Sequence, residues 1–97
     1  MLTNKQKSTL RSMANSLRPL FQVGKDGVSH NLINTLSDSL EAHELVKLNI
    51  LKTCSEDVRQ IALDLSSGTH AEVVQIIGRT IVLYRESREH RRIELPR

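Results

Sequence analysis

The chain has 97 residues, of which 38% are hydrophobic and 26% are charged, and its net charge is +3 at pH 7. These values suit one soluble domain over residues 1–97 and exclude a disordered or collagen-like chain. No apolar run approaches the roughly 18 to 20 residues that cross a bilayer, and the first residues lack the apolar core of a signal peptide. The only cysteine, Cys54, cannot form an internal disulfide. We therefore expect a cytoplasmic protein without membrane association.

The charges are distributed unevenly along the chain. Residues 1–25 carry five basic side chains and no acidic one, residues 26–78 have a net charge of −5, and residues 79–97 have a net charge of +3. If the two basic ends meet in the folded domain, they form an electropositive surface that suits phosphate groups. The alternative is that these side chains are ordinary solvated surface.

The first predicted element is a helix. Thr3 and Gln6 match a capping box, in which each side chain accepts a hydrogen bond from the other residue's backbone amide. Apolar residues at helical spacing follow, and a nearby proline prevents continuation. This apolar stripe consists of Leu10, Met13, Ala14 and Leu17. At 100° per residue, Lys7, Arg11 and Arg18 lie within about 40° of one another, which predicts a row of cations beside the stripe.

A strand, a loop and a second helix follow. Residues 20–23 are apolar and bounded by proline and glycine, which predicts a short buried strand. Residues 24–27 form a tight connection with a glycine at each end. Ser29 is the predicted cap of the second helix, which runs out near Ala42.

The middle of the chain predicts a strand and a third helix. Residues 45–51 alternate, with apolar side chains on one face and Lys47 on the other. Ser55 is the predicted cap of the third helix, and Gly68 fits a left-handed residue that ends it.

The last part of the chain completes the predicted fold. Gly78-Arg79 separates two β-branched runs, and glycine in the first central position predicts a type II′ hairpin. The element order is helix, strand, helix, strand, helix, strand, strand. This order predicts an α/β domain with a mixed four-stranded sheet, two crossovers and a closing hairpin. Residues 85–97 form a charged C-terminal segment, in which Ile93 and Leu95 can reach the sheet.

The sequence offers no catalytic or metal-binding pattern. His43-Glu44 begins like a zinc-protease motif, but Lys47 stands where the second histidine should be. Cys54 has no second thiol and no evident histidine partner, which favours a structural role. Gly24-Lys25 is followed by Asp26 rather than by the hydroxyl residue of a nucleotide-binding phosphate loop. We therefore expect a protein that is not an enzyme and needs no metal or cofactor.

The glycine loop, residues 24–27, is the best functional candidate. Two glycines allow a nucleic-acid backbone to approach closely, Lys25 adds a mobile cation, and Asp26 opposes it. The loop directly follows the acid-free segment, although an ordinary structural turn is the alternative. With one Phe, one Tyr and no Trp, the chain cannot stack several bases on aromatic rings. Recognition of RNA must then act through backbone and phosphate contacts.

Several short pieces of the sequence, in their order and spacing, together resemble one known family. They include Val23-Gly24-Lys25-Asp26-Gly27, His43-Glu44-Leu45-Val46-Lys47, Val74-Gln75-Ile76-Ile77-Gly78 and Val82-Leu83-Tyr84-Arg85. The others are Leu2-Thr3, Lys5-Gln6, Leu10-Arg11, Ala14, Leu17 to Pro19 and Ile93-Glu94-Leu95-Pro96. Over nearly its whole length the chain resembles the CRM (chloroplast RNA splicing and ribosome maturation) domain, in its stand-alone bacterial YhbY-like form.

This resemblance implies a fold similar to the C-terminal domain of translation initiation factor three, preceded by an extra helix. It also implies RNA binding and association with precursors of the large ribosomal subunit, whereas plant relatives act in organellar intron splicing. The implied contacts are the glycine loop and the basic first helix, to which we add the lysine of the second strand. The predicted RNA-contacting residues are Gly24, Lys25, Asp26, Gly27, Lys5, Lys7, Arg11, Arg18 and Lys47.

A second function remains open at this stage. The chain is alternatively a protein-interaction module that docks a ribosomal or assembly protein through the basic patch or an open face of the sheet. The sequence leaves open the RNA site, the oligomeric state, and whether residues 85–97 become ordered only on binding. Three alternatives therefore stay open for Arg88, Arg91 and Arg92: they are disordered cations, part of a helix surface, or additional phosphate contacts.

Overall fold

A computed structural model describes residues 2–96, and its element order is the one the sequence predicts. The helices are α1 (Asn4–Ala14), α2 (His30–His43) and α3 (Val58–Thr69). The strands are β1 (Phe21–Val23), β2 (Leu45–Ile50), β3 (Glu72–Ile77) and β4 (Thr80–Tyr84). Within residues 2–96, no helix combines the length and apolar character needed to span a membrane.

The four strands form one mixed sheet in the order β1-β2-β4-β3. β1 runs parallel to β2, whereas β2 and β3 both pair antiparallel with β4. The predicted mixed four-stranded sheet is therefore confirmed. β1 and β3 are the edge strands, so each leaves one side of its backbone without a sheet neighbour.

Both faces of the sheet are covered, but by different parts of the chain. α2 and α3 pack on one face, where Leu36, Leu40, Ile61 and Leu65 meet the inward side chains of the strands. On the other face, α1 and the C-terminal segment pack together. That second core contains Leu10, Ala14, Leu45, Val74, Val82 and Tyr84, with Leu2, Ile93 and Leu95 against it. Each fully buried leucine contributes about 1.5 to 3 kcal/mol to the free energy of folding.

α1 is shorter than its apolar stripe predicts. Its capping box is present as predicted, with Thr3 Oγ1 accepting the amide of Gln6 at 3.1 Å. The helix ends at Ala14, whose carbonyl accepts hydrogen bonds from the Leu17 amide at 3.0 Å and from Lys47 Nζ at 3.3 Å. Because these donors close the helix early, its stripe and its row of cations do not extend to residues 17 and 18.

The segment after α1 also differs from its prediction. Leu20 is 54% exposed, so the expectation of a buried strand over residues 20–23 is wrong for its first residue. Only Val23 of β1 is fully buried. An edge strand has one neighbour, and α1 ends before it can cover Leu20.

Two helix boundaries of α3 differ from the sequence expectation. Asp57 rather than Ser55 is the N-cap, and its carboxylate accepts the Arg59 amide at 3.2 Å. The left-handed residue that ends the helix is His70, with φ of 59°, rather than Gly68. Gly68 serves another purpose, because a Cβ there would lie 2.7 Å from Ile33 Cδ1. Glycine at position 68 therefore allows α3 to approach α2 closely.

The predicted cap of α2 and the predicted hairpin are both confirmed. Ser29 Oγ accepts the Leu32 amide at 3.1 Å and begins α2. Gly78 has a φ of 56° between β3 and β4, and Arg79 has no positive φ, as a type II′ turn requires.

The C-terminal segment follows an ordered path over the sheet. Gln6 Nε2 donates to the carbonyl of Pro96 at 2.9 Å, and Ile93 and Leu95 pack on the core under α1. The two basic ends of the chain therefore meet on one face of the sheet, which was the condition for a shared electropositive surface.

Candidate nucleic-acid interface

The glycine loop lies at the end of the sheet where β1 and β2 both finish. Gly24 follows Val23, which pairs with Ile50, the last residue of β2. The β2–α3 connection and the β3–β4 turn lie at the same end. Arg79 joins these parts, because its guanidinium donates to the carbonyls of Ile50 at 2.9 Å and Leu51 at 2.6 Å.

Within the loop, only one glycine is required by the fold itself. The Gly27 amide donates to the Gly24 carbonyl at 3.0 Å, and Gly27 has a φ of 65°. A Cβ at Gly27 would also lie 2.8 Å from Glu56 Oε1. At Gly24, by contrast, a Cβ would make ordinary contacts of 3.5 Å with Leu51 and Thr53. The protein therefore has no internal need for glycine at position 24.

The charges around the loop are mixed. Lys25 and Asp26 are both exposed, and the carboxylate of Glu56 lies over Gly27. Glu56 belongs to the acidic middle of the chain, so that segment contributes a negative charge beside the loop. Glu56 comes next to the loop because the Leu51 amide donates to the Val23 carbonyl at 2.8 Å, which places the β2–α3 connection beside the end of β1.

A groove opens at the other end of β1, and we call it the β1 groove. It has a volume of about 550 Å³ and lies between the end of α1, the start of β1, β2 and the C-terminal segment. Its apolar lining includes Met13, Leu17, Leu20, Leu45 and Ile93. Its basic lining consists of Arg18, Lys47, Arg92 and His43. The structure thus brings together Arg18 and Lys47, two of the predicted RNA-contacting residues.

The C-terminal wall of the groove is held by a buried carboxylate. Glu44, at the end of α2, is fully buried, and its Oε1 accepts the backbone amides of Arg92 at 2.5 Å and Ile93 at 2.8 Å. Its Oε2 accepts the Ser87 amide at 2.8 Å. Burial disfavours the charged form of Glu44, but these three amides outweigh it and hold the pKa below its ordinary value.

A second carboxylate, Glu41, organises the preceding turn. The hydroxyl of Ser87 donates to Glu41 Oε2 at 2.6 Å, and the amides of Arg88 and Glu89 donate to the same oxygen at 3.1 Å. These hydrogen bonds, with a smaller contribution from the Arg85 charge, lower the pKa of Glu41 from 4.5 to about 2. Both carboxylates are therefore engaged by the chain's own amides, which assigns them a structural role.

Arg85 and Tyr84 complete this region. The Arg85 guanidinium donates to Ser37 Oγ at 2.9 Å and to the carbonyl of Thr69 at 2.8 Å, which joins α2 to α3. Burial raises the pKa of Tyr84, and the nearby Glu44 charge raises it further. Arg91 forms a salt bridge with Glu86, so its charge is paired within the C-terminal segment.

The remaining predicted residues lie on α1, away from the loop. Leu2 and Gln6, at the start of α1, lie beside Tyr84, which pairs with Leu45 at the first residue of β2, whereas the loop adjoins Ile50 at its last. Five residue steps separate the two levels, or roughly 17 Å. The structure therefore does not bring Lys5 and Lys7, in the first turns of α1, to the glycine loop.

The predicted row of three cations is reduced to two. Lys7 and Arg11 lie one helical turn apart on α1, on a different face from Gln6, which contacts the C-terminal segment. Arg18 lies beyond the end of the helix and lines the β1 groove instead. The expectation that Arg18 shares a helix face with the other two is therefore wrong.

Sequence reasoning missed part of the groove. The sequence leaves three roles open for Arg92, one of them a phosphate contact, and the expected contact of Ile93 with the sheet is the signal that places its neighbour at the sheet surface. No pattern in the sequence predicts that His43 lines a groove. Among residues 2–96, no three His, Cys, Asp or Glu side chains come together in a way that could hold a metal ion.

Similarity to known proteins identifies the family. The model of the CRS1 / YhbY (CRM) domain matches residues 2–85. The chain belongs to the CRM domain family. It is 52% identical over 96 residues to the "Probable RNA-binding protein YqeI" of Bacillus subtilis, covering 99% of this chain and 100% of that protein. It is 34% identical to an RNA-binding protein of Haemophilus influenzae, covering 99% and 96% of the two chains.

A solved structure also shares the fold of this CRM domain. The solution structure of the hypothetical protein SAV1595 from Staphylococcus aureus is 48% identical to it, with a TM-score of 0.82 over 99% of this chain and 100% of that chain. The family match ends at residue 85. The segment that supplies Arg92 and Ile93 to the β1 groove therefore lies beyond the matched part of the CRM domain.

Proposed function

We propose that this CRM domain binds RNA through phosphate contacts along β1. The observation that carries the proposal is the position of three cations at the two ends of one edge strand. Arg18 and Lys47 line the β1 groove where the strand starts, and exposed Lys25 lies in the loop where it ends. The RNA-binding names of the relatives in Bacillus subtilis and Haemophilus influenzae support the same function.

The two ends of β1 are within reach of one RNA strand. Leu20 and Gly24 are four residue steps apart, roughly 13 Å in extended chain. Leu20 and Gln22 are exposed between them, so the path along the strand is open. A few nucleotides suffice to contact the groove and the loop together.

The glycine loop acts by close approach of its backbone. Because nothing inside the protein requires glycine at position 24, the missing side chain there leaves room for an RNA backbone beside Lys25. Gly27 sustains the turn that presents this surface. Asp26 is exposed, and phosphate binding at Lys25 requires its carboxylate to turn away.

The cations of α1 form a separate contact surface. Lys5, Lys7 and Arg11 lie on a helix that begins at the far end of the sheet, so they contact a different part of a folded RNA. A structured RNA of the large ribosomal subunit precursor presents phosphates over such distances, and the YhbY-like resemblance supports this target.

A salt titration of RNA binding tests the proposal. Removing one cation that binds a phosphate lowers the slope of log affinity against log salt by roughly 0.7 to 0.9. We expect the double variant Arg18→Ala/Lys25→Ala to lower the slope by roughly 1.4 to 1.8 and to weaken binding of unrelated RNA sequences alike. Arg59→Ala, an exposed cation on α3, is the matched control. An unchanged slope in the double variant would show that β1 is not part of the RNA interface.

A protein-binding function is the second candidate, and one observation favours it. The other edge strand, β3, lies beside an apolar patch in which Leu63 is 57% exposed and Ile76 is 37% exposed. A ribosomal or assembly protein could cover this patch. Capture of ribosomal precursors that survives nuclease digestion, and is lost in Leu63→Gln, would support this candidate over RNA binding.

A further inference from the structure

We propose that the β1 groove holds one unpaired RNA base, with phosphates of the same strand on Arg18 and Arg92. This inference rests on the proposed function and deepens it, because it adds a base-binding site to phosphate contacts. The groove is unlike the loop, since it joins an apolar lining to a basic rim within about 550 Å³.

The chemistry of the lining fits a nucleotide. Met13, Leu17 and Ile93 offer apolar surface to the face of a base, and methionine is polarisable and adapts to flat rings. Arg18 and Arg92 offer guanidinium planes, which stack on bases and bind phosphate. None of the residues that line the groove is acidic. The scarcity of aromatic residues therefore does not restrict this protein to backbone contacts.

The groove is organised before any ligand enters. Its C-terminal wall is fixed by the buried Glu44 carboxylate, which accepts the amides of Arg92 and Ile93. On the opposite side, Lys47 Nζ donates to the Ala14 carbonyl and holds the end of α1 against β2. Such fixed walls reduce the conformational entropy that binding costs.

Continuity with the loop favours RNA as the occupant over an acidic, apolar peptide. The groove opens at Leu20, and the exposed side of β1 leads from there to Lys25. A strand whose phosphates bind at Lys25 reaches the groove after roughly 13 Å, so both sites can take one molecule. A peptide bound in the groove would not account for the Lys25 cation at the other end of β1.

Two single-stranded probes separate base binding from phosphate binding. One is hexauridylate, and the other is its abasic counterpart, which carries the same number of phosphates and no bases. We expect the parent protein to bind hexauridylate about fivefold or more tightly than the abasic strand. This ratio corresponds to the low end of the affinity gained by stacking one base.

Two groove variants and two matched controls locate the effect. Arg92→Gln should weaken the binding of both strands, and Leu20→Gln should abolish the preference for hexauridylate. Leu63→Gln and Arg59→Gln on α3 should retain it, and Leu63 is as exposed as Leu20, at 57% against 54%. Because Leu20 is largely exposed and pairs through its backbone amide with the Lys47 carbonyl, its side chain can change without loss of the fold.

A direct spectroscopic readout accompanies the affinities. The ring current of a base in the groove should shift the methyl resonances of Met13 and Ile93 when hexauridylate is added, whereas the abasic strand should leave them in place. Shifts of the same size with both strands, or none with hexauridylate, would overturn the proposal.

The outcomes distinguish this inference from the proposed function. Equal binding of the two strands by the parent, with weaker binding in Lys25→Ala, leaves phosphate binding along β1 in place and overturns the base site. Failure of the parent to bind either strand overturns both. Loss of binding to an acidic, leucine-containing peptide in Leu20→Gln, with RNA binding unchanged, would identify the groove as a protein site.

Discussion

Glu44 Oε1 accepts the backbone amide of Arg92 at 2.5 Å, and this hydrogen bond connects the end of α2 to the wall of the β1 groove. Glu44 itself has a φ of 68°, a backbone conformation that is strained for residues other than glycine. The strain is retained because its carboxylate also accepts the amides of Ser87 and Ile93. One buried side chain thus orders the C-terminal segment and shapes the candidate interface.

Removing the Glu44 carboxylate should therefore destabilise the domain strongly. Glu44→Ala leaves three backbone amides without their acceptor, and we expect the free energy of unfolding to fall by about 3 kcal/mol or more. Urea denaturation measures this, with Glu89→Ala, an exposed carboxylate of the same segment, as control. Glu44→Gly should lose roughly 1 kcal/mol less than Glu44→Ala, because glycine relieves the positive φ. A decrease below about 1 kcal/mol in Glu44→Ala would contradict this role.

The pH dependence of stability should report on Glu41. Its pKa falls from 4.5 to about 2 in the folded protein, so the ionised form stabilises the fold. That contribution is fully present above the unfolded value and is lost as pH falls from about 4.5 to about 2. We expect the parent to lose stability over this range more steeply than Glu41→Gln. Chemical denaturation at several pH values tests it, and parallel curves would contradict it.

The two glycines of the loop should respond differently to substitution. Gly27→Ala meets a positive φ and the Glu56 carboxylate, and should lower the free energy of unfolding by about 1 to 3 kcal/mol. Gly24→Ala should change stability by less than about 0.5 kcal/mol, since its Cβ would make only ordinary contacts with Leu51 and Thr53, and should still weaken RNA binding if the RNA backbone approaches closely here. Unchanged RNA affinity in folded Gly24→Ala would contradict close approach at this position.

Glu56 should oppose RNA binding at the glycine loop. Its carboxylate lies over Gly27, where it repels an incoming phosphate. We expect Glu56→Gln to raise RNA affinity about two- to fivefold at low salt, with the gain fading as salt is added. Asp64→Asn, on α3, is the matched control. Equal effects of the two substitutions would indicate net charge rather than a local contact.

Arg79 should be irreplaceable by lysine. Its guanidinium donates to the carbonyls of Ile50, Leu51 and Cys54, at 2.9, 2.6 and 3.3 Å. Because only a planar fork reaches all three, Arg79→Lys and Arg79→Ala should both lower the free energy of unfolding by about 2 kcal/mol. Thermal and urea unfolding measure the decrease against Arg59→Ala. Full stability of Arg79→Lys would show that a single point charge suffices.

Some local features could be predicted from the sequence and some could not. The capping box of Thr3 and Gln6, the Ser29 cap and the Gly78 turn depend on residues within a few positions, and all three are present. The end of α1 could not be predicted, because Lys47, which donates to the Ala14 carbonyl, is 33 positions away. The same applies to Gly68, whose role is set by Ile33 on another helix.

The order of elements, the mixed sheet and the CRM family could all be predicted from the sequence, since periodicity, turn chemistry and short motifs are local properties of the chain. Which cations share a surface follows instead from the tertiary structure. It placed Arg18 with Lys47 and Arg92 in one groove and separated Lys5 and Lys7 from the glycine loop. It also brought Glu56 to Gly27. Charges interact through space, so the net charge of a sequence segment does not predict which groups lie near its charged side chains in the fold.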